Sequence, residues 1–157
     1  GTGLWLQGSE TNVDVLKCTV KECGSTGMYV SRGTTVTATQ CEFMENGASG
    51  LYCSSVSTKA RLNDCQMHHN GSNGVYAINR GVVDLHGTKT DIHSNKQDGI
   101  QALGRNSKVN IHLLSQHNTS HDNVGEDRRE IEGGSIANIN ADGTFTHAIA
   151  EEEDDDY

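Results

Sequence analysis

Apolar and polar residues alternate in short bursts along the chain, as in Val13-Asp14-Val15, Val36-Thr37-Ala38 and Val83-Asp84-Leu85, with Gly, Asn and Ser between them. Alternation of period two predicts strands with one buried face, and no useful length carries the 3.6-residue stripe of an amphipathic helix. The bursts also repeat. A glycine followed by an aliphatic and usually an aromatic residue recurs at Gly3-Leu4-Trp5, Gly27-Met28-Tyr29, Gly50-Leu51-Tyr52, Gly74-Val75-Tyr76 and Gly99-Ile100-Gln101, at spacings of 24, 23, 24 and 25 residues. Cys18, Cys41, Cys65 and Thr90 stand nine residues before these glycines, and Val20, Phe43, Met67 and Ile92 stand seven before. Cys23, Asn46, Asn70 and Asn95 stand four before. A weaker copy opens near Lys108-Val109-Asn110-Ile111 and reaches Gly125, with polar Asn118 in the place of the inward apolar residue.

A repeat of this length with two or three strands is too short for a propeller blade and lacks the leucine-rich consensus. A coil of strands remains, in which successive turns stack at about 4.8 Å and equivalent residues lie directly above one another. That geometry explains the columns. Leu4, Met28, Leu51, Val75 and Ile100 form one buried row, and Leu6, Val30, Cys53, Ala77 and Ala102 another. Asn46, Asn70 and Asn95 form an amide ladder at a bend, each side chain bonding to the copies above and below. Cys18, Cys41 and Cys65 form a thiol column whose parallel β-carbons are poorly directed for disulfides, so free thiols are expected.

The glycine-aliphatic-aromatic start and the Asn ladder resemble the right-handed parallel β-helix proteins of the pectate-lyase-like superfamily, over residues 1–125. The resemblance implies an all-β, right-handed single-stranded parallel β-helix of about five to six turns. It implies architecture more than function, because the superfamily includes polysaccharide lyases, hydrolases, epimerases, tailspikes and noncatalytic modules. Residues 126–149 are read as a connecting segment and a hairpin cap. In that hairpin Ser135 to Ile139 and Thr144 to Ala148 alternate around the turn sequence Asn140-Ala141-Asp142-Gly143. The phrase from Gly133 to His147 also resembles the tail of uncharacterised algal β-helix proteins. Residues 150–157 are read as a disordered acidic tail.

Composition changes this picture in one respect. Of 157 residues only 33% are hydrophobic and the net charge is −9, which by itself suggests disorder. Six of the 21 carboxylates lie in the run Glu151 to Asp156, however, leaving 15 against 12 Lys and Arg, a net of −3 for the rest of the chain. Neither a basic cluster nor a run of 18 apolar residues is present, which argues against nucleic-acid partners and membrane insertion through a helix. The chain opens Gly1-Thr2-Gly3 without Met or a signal peptide, so a fragment or processed product is expected, with association through the abrupt N-terminal turn. Reduced thiols favour an intracellular over a secreted setting.

The outward row Trp5, Tyr29, Tyr52, Tyr76 holds four of the chain's seven aromatic residues. Aromatic faces pack on sugar rings and phenol hydroxyls bond sugar hydroxyls, so the row predicts a noncatalytic module binding a carbohydrate or a protein. Arg32, Arg80 and Arg105, placed at the far end of the same strand, suit carboxylated sugars. The alternative is a carbohydrate-active enzyme, a polysaccharide lyase, hydrolase or epimerase. Asp98 and Asp122, placed on successive turns, would then act as acid and base with Arg105 and His121, or hold Ca²⁺. No firm catalytic or metal set emerges, and no cofactor is expected. Two histidine pairs, His68 with His93 and His86 with His112, fall in register, which by itself makes a weak metal site.

Overall fold

Each repeat folds into three short strands separated by sharp corners. The computed structural model describes residues 1–147, and the acidic tail read at 150–157 lies outside the described residues. Numbered β1 to β18 in chain order, the strands assemble into three sheets, parallel except at β18, that wrap one apolar interior. Sheet A contains β1 (Leu4–Gln7), β4 (Met28–Ser31), β7 (Leu51–Ser54), β10 (Val75–Ile78), β13 (Ile100–Leu103) and β16 (Arg128–Ile131). Sheet B contains β2 (Asn12–Leu16), β5 (Thr35–Thr39), β8 (Lys59–Asn63), β11 (Val82–His86), β14 (Lys108–Ile111) and β17 (Ser135–Ile139), with β18 (Phe145–His147) at its end. Sheet C contains β3 (Thr19–Lys21), β6 (Glu42–Met44), β9 (Gln66–His68), β12 (Asp91–His93) and β15 (Ser120–His121).

The register follows the repeat. Met28 sits over Leu4, Leu51 over Met28, Val75 over Leu51 and Ile100 over Val75, and all but Leu4 are fully buried. Val36, Ala60, Val83 and Val109 form the matching row of sheet B, and Phe43, Met67 and Ile92 that of sheet C. The first turn is thinner, because Leu4, Leu6, Val13, Val15 and Val20 have packing on one side only and remain half-buried.

The repeat glycine has a steric cause. A Cβ on Gly50 would lie 2.8 Å from the Gly74 carbonyl oxygen, 2.9 Å from Asn70 Nδ2 and 3.1 Å from Met67 Cγ. Only hydrogen fits where the sheet C to sheet A corner of one turn presses on the next. The same corner carries the amide ladder. Asn70, fully buried, accepts from the Asn46 backbone N–H at 3.2 Å and side-chain amide at 3.1 Å. It donates to the Phe43 carbonyl at 3.1 Å and to Asn95 Oδ1 at 3.0 Å.

The last turn differs from the expected one. Successive turns are offset by 25 residues from β10 to β13, by 26 from β11 to β14 and by 28 from β12 to β15, because the corners lengthen. Asp127, not Gly125, therefore takes the glycine's place over Gly99, and Ser120 rather than Asn118 takes the inward place over Ile92. Asn123 extends the ladder, accepting from Asn95 Nδ2 at 2.9 Å. The coil also continues past residue 125 through β16 and β17, before β18 pairs antiparallel with β17. Inward places in this turn are held by Arg128, Glu130 and Asn138 in place of aliphatics. Arg128 donates to Asn138 Oδ1 at 2.7 Å, and Glu130 accepts from the Ile136 backbone N–H at 2.6 Å. Inward-pointing charges deny the exposed edge to another chain's strand.

Candidate functional site

The outer face of sheet A carries the predicted row in unbroken register, Trp5 over Tyr29 over Tyr52 over Tyr76, and the row continues into Gln101 and Arg129. Strand spacing sets how the rings meet. Centroids are 4.6 Å apart from Trp5 to Tyr29, 5.2 Å from Tyr29 to Tyr52 and 5.1 Å from Tyr52 to Tyr76, with the middle pair stacked and the last edge-on. The faces of Tyr29 and Tyr52 are thus spent on each other, whereas Trp5 at the head of the file remains 60% exposed. The three phenol hydroxyls find no partner among the described residues and are not buried. Burial of the rings pushes the Tyr52 and Tyr76 hydroxyls above the usual phenol range, so they remain protonated donors.

The other predicted residues are not gathered around this row. Arg32, Arg80 and Arg105 lie beyond the strand ends, in the sheet A to sheet B corner, and Arg32 is one register position away from the file of Arg80 and Arg105. Asp98 is buried at the opposite corner. It accepts from the Glu126 backbone N–H at 2.9 Å and pairs with Arg129 at 3.7 Å. Asp122 follows β15 on sheet C, with 82% of its side chain exposed, and accepts from His121 Nδ1 at 2.8 Å. Asp98 and Asp122 do lie on successive turns, but at separate points along the chain's path from sheet C to sheet A, with Asp122 directly after β15 and Asp98 just before β13. Asp98, Asp122, Arg105 and His121 do not converge.

Histidine stacks line sheet C. His68 lies over His93 at 4.9 Å and His93 over His121 at 5.3 Å, while His121 Nε2 reaches Asp91 Oδ1 at 2.7 Å. Among the described residues no three His, Cys, Asp or Glu side chains are arranged to hold one metal ion. All five cysteines are free thiols. Cys41 and Cys65 are buried, and Cys18, on the half-covered first turn, is exposed. Burial pushes Cys53 up to about 12 and Cys65 to about 11, which keeps both unreactive.

One cluster lies outside the sequence-based set. Asp84, 8% exposed although on the outward side of sheet B, accepts from His112 Nε2 at 2.9 Å and Asn110 Nδ2 at 3.1 Å, and pairs with Lys59 at 3.4 Å. Although burial opposes its ionisation, the His112 and Asn110 bonds and the Lys59 charge hold its carboxyl below the usual range. The His86 ring lies 4.0 Å from that of His112 and nearly parallel. The in-register pair His86 and His112 was the visible signal. The role of Asp84 was not visible, because its partners come from the turns before and after its own.

Burial, then the adjacent His112 and Arg61, push His86 down to about 4. A base whose folded value lies below its unfolded one contributes stability above the unfolded value, near 6.5, and loses it as pH falls toward about 4. His93, depressed mainly by burial, acts in the same sense. His121, raised first by the Asp122 hydrogen bond, acts in the opposite sense, since its contribution is present at low pH and lost as pH rises. Thermal melts from pH 7 to pH 4 should therefore show a loss of stability that is smaller in His86→Gln than in the unsubstituted protein. An equal slope in both would assign the loss to other groups.

The sequence model of the family described as "Right handed beta helix region" matches residues 1–120, about three quarters of the chain. No curated protein and no solved structure matches it.

Proposed function

We propose, from the premise that the chain belongs to the right-handed β-helix family, that it is a noncatalytic module binding an extended carbohydrate or a protein along the outer face of sheet A. The observation that carries this reading is the file of three unpartnered tyrosine hydroxyls, spaced about one strand apart and headed by the exposed Trp5. A file of donors at a fixed repeat suits a ligand that is itself a repeat, and a solenoid presents such a surface over its whole length. Because Tyr29 and Tyr52 turn their faces to each other, the ligand meets their hydroxyl edges, with ring stacking centred on the exposed Trp5. The alternative, a polysaccharide lyase, hydrolase or epimerase using Asp98 and Asp122, is disfavoured. Asp98 is already occupied by a backbone amide and Arg129, and Asp122 stands on sheet C.

Affinity electrophoresis through neutral and acidic polysaccharides tests the reading, with assay of the same lanes for new sugar ends. Retardation without new ends is expected, falling at least tenfold in a Tyr29→Phe, Tyr52→Phe, Tyr76→Phe variant that keeps the stacked rings and loses the hydroxyls. If the carbohydrate lanes are silent, the same variant is compared in protein pull-downs. New ends abolished by Asp98→Asn would establish the enzyme, and binding by neither route would reduce the row to rung stacking, worth about 0.2–1 kcal/mol per pair.

A further inference from the structure

Sheet B and the C-terminal hairpin enclose a groove that the sheet A reading leaves unused. Two cavities of about 460 Å³ each meet at His112 and Ile139. One runs between Lys108, Asn110, Ser135, Ala137 and Phe145. The other is walled chiefly by Leu113, Leu114 and Ala141 of the long corner and the hairpin turn, with Thr88 and His117 at its side. Two of the large exposed apolar side chains, Leu114 at 69% and Phe145 at 64%, line one cavity each.

The polar groups are asymmetrically placed. Lys108 and Ser135 are register partners at one end, and Lys108 has no carboxylate within 4.0 Å among the described residues. Asp84, the nearest buried carboxylate in the cluster, is already matched by Lys59, His112 and Asn110. His117 lines the far wall but is engaged, with Nε2 donating to the Thr88 carbonyl at 2.8 Å and Nδ1 beside the Thr119 hydroxyl at 2.9 Å. His112 is different. Its Nε2 is held by Asp84, which fixes the ring and leaves Nδ1 without a partner among the described residues.

We propose that this groove binds a small amphipathic carboxylate. Its anionic head pairs with Lys108 and the Ser135 hydroxyl, and its apolar body lies on Ala137, Ile139 and Phe145 toward His112. Charge complementarity selects the occupant. An ammonium with no carboxylate partner among the described residues, at one end of a trough floored by Ala137, Ile139 and Phe145, is matched by a single negative charge on an apolar body, and a neutral apolar molecule would leave that ammonium unanswered.

Isothermal titration with naphthalene-2-carboxylate, and with naphthalene-2-carboxamide as its neutral analogue, tests the site on the full chain. Saturable one-to-one binding of the acid is expected, with the amide at least tenfold weaker. Lys108→Met is expected to abolish that preference without moving the thermal midpoint, since Lys108 is exposed and pairs with no carboxylate among the described residues. Phe145→Ser, at an exposed hairpin position, should weaken acid and amide alike. Absence of saturable binding, equal affinity for acid and amide, or a preference that survives Lys108→Met would each overturn the proposal. Sheet A variants leave this readout unchanged, so its failure and that of the sheet A reading are distinguishable.

Discussion

Asn70→Ala is expected to destabilise the protein by about 3–5 kcal/mol, the range in which breaking a buried hydrogen-bond network falls. The side chain is fully buried and takes part in four hydrogen bonds, two accepted and two donated. Alanine leaves the Asn46 backbone N–H, the Asn46 amide, the Phe43 carbonyl and Asn95 Oδ1 each short of a partner in an interior closed to water. Each loss costs about 1–3 kcal/mol before relaxation, and sharing within the ladder keeps the sum below four independent losses. At about 2–4 °C per kcal/mol for a chain of this size, the thermal midpoint should fall by roughly 6–20 °C. Ser72→Ala is the control. Its hydroxyl donates to Gln97 at an exposed position, and the change should move the midpoint little. An Asn70→Ala midpoint within 3 °C of the parent would mean that the ladder contributes register but little stability.

Gly50→Ala should be at least as damaging, for the opposite reason, since it adds an atom. The new Cβ meets a backbone carbonyl at 2.8 Å and the ladder amide of Asn70 at 2.9 Å, closer than real Cβ contacts allow, and neither partner is the free end of a flexible side chain. To make room, the turn must move away from its neighbour, which lengthens the Leu51 N–H to Gly74 carbonyl bond of 3.0 Å and loosens the Asn70 contacts. Overpacking of this kind costs about 1–3 kcal/mol in an adaptable core and more against backbone. The expected result is a loss of soluble folded protein or a midpoint depressed by about as much as in Asn70→Ala. Gly104→Ala separates steric from backbone effects: its φ is +89° with open space around it, so only conformational strain acts there. Chemical denaturation of the three variants in parallel measures this directly. Equal, small changes for Gly50 and Gly104 would show that turns of the coil can part without penalty. Because Gly50 and Asn70 touch, the double variant should cost less than the sum of the two.

The sequence by itself determined the stacked strand repeat, the inward rows, the aromatic file and the Asn46, Asn70, Asn95 ladder, while the structure fixed the strands at three per turn. In a coil whose turns stack at strand spacing, residues one repeat apart become neighbours in space, so linear spacing and spatial register are the same information. That equivalence holds only while the period is constant. Where corners lengthen and the last offset reaches 28 residues, counting from glycine to glycine misplaced Gly125 and Asn118 and hid Asn123 as the ladder's next member. The same slip set Asp122 closer to the position of Asp98 than it is. Tertiary structure alone decided how the tyrosine rings tilt, that Arg32, Arg80 and Arg105 sit at a corner, and that Asp84 is matched by Lys59, Asn110 and His112. Those features depend on side-chain direction and on contacts diagonal to the register, and a column of residue types carries no information about either.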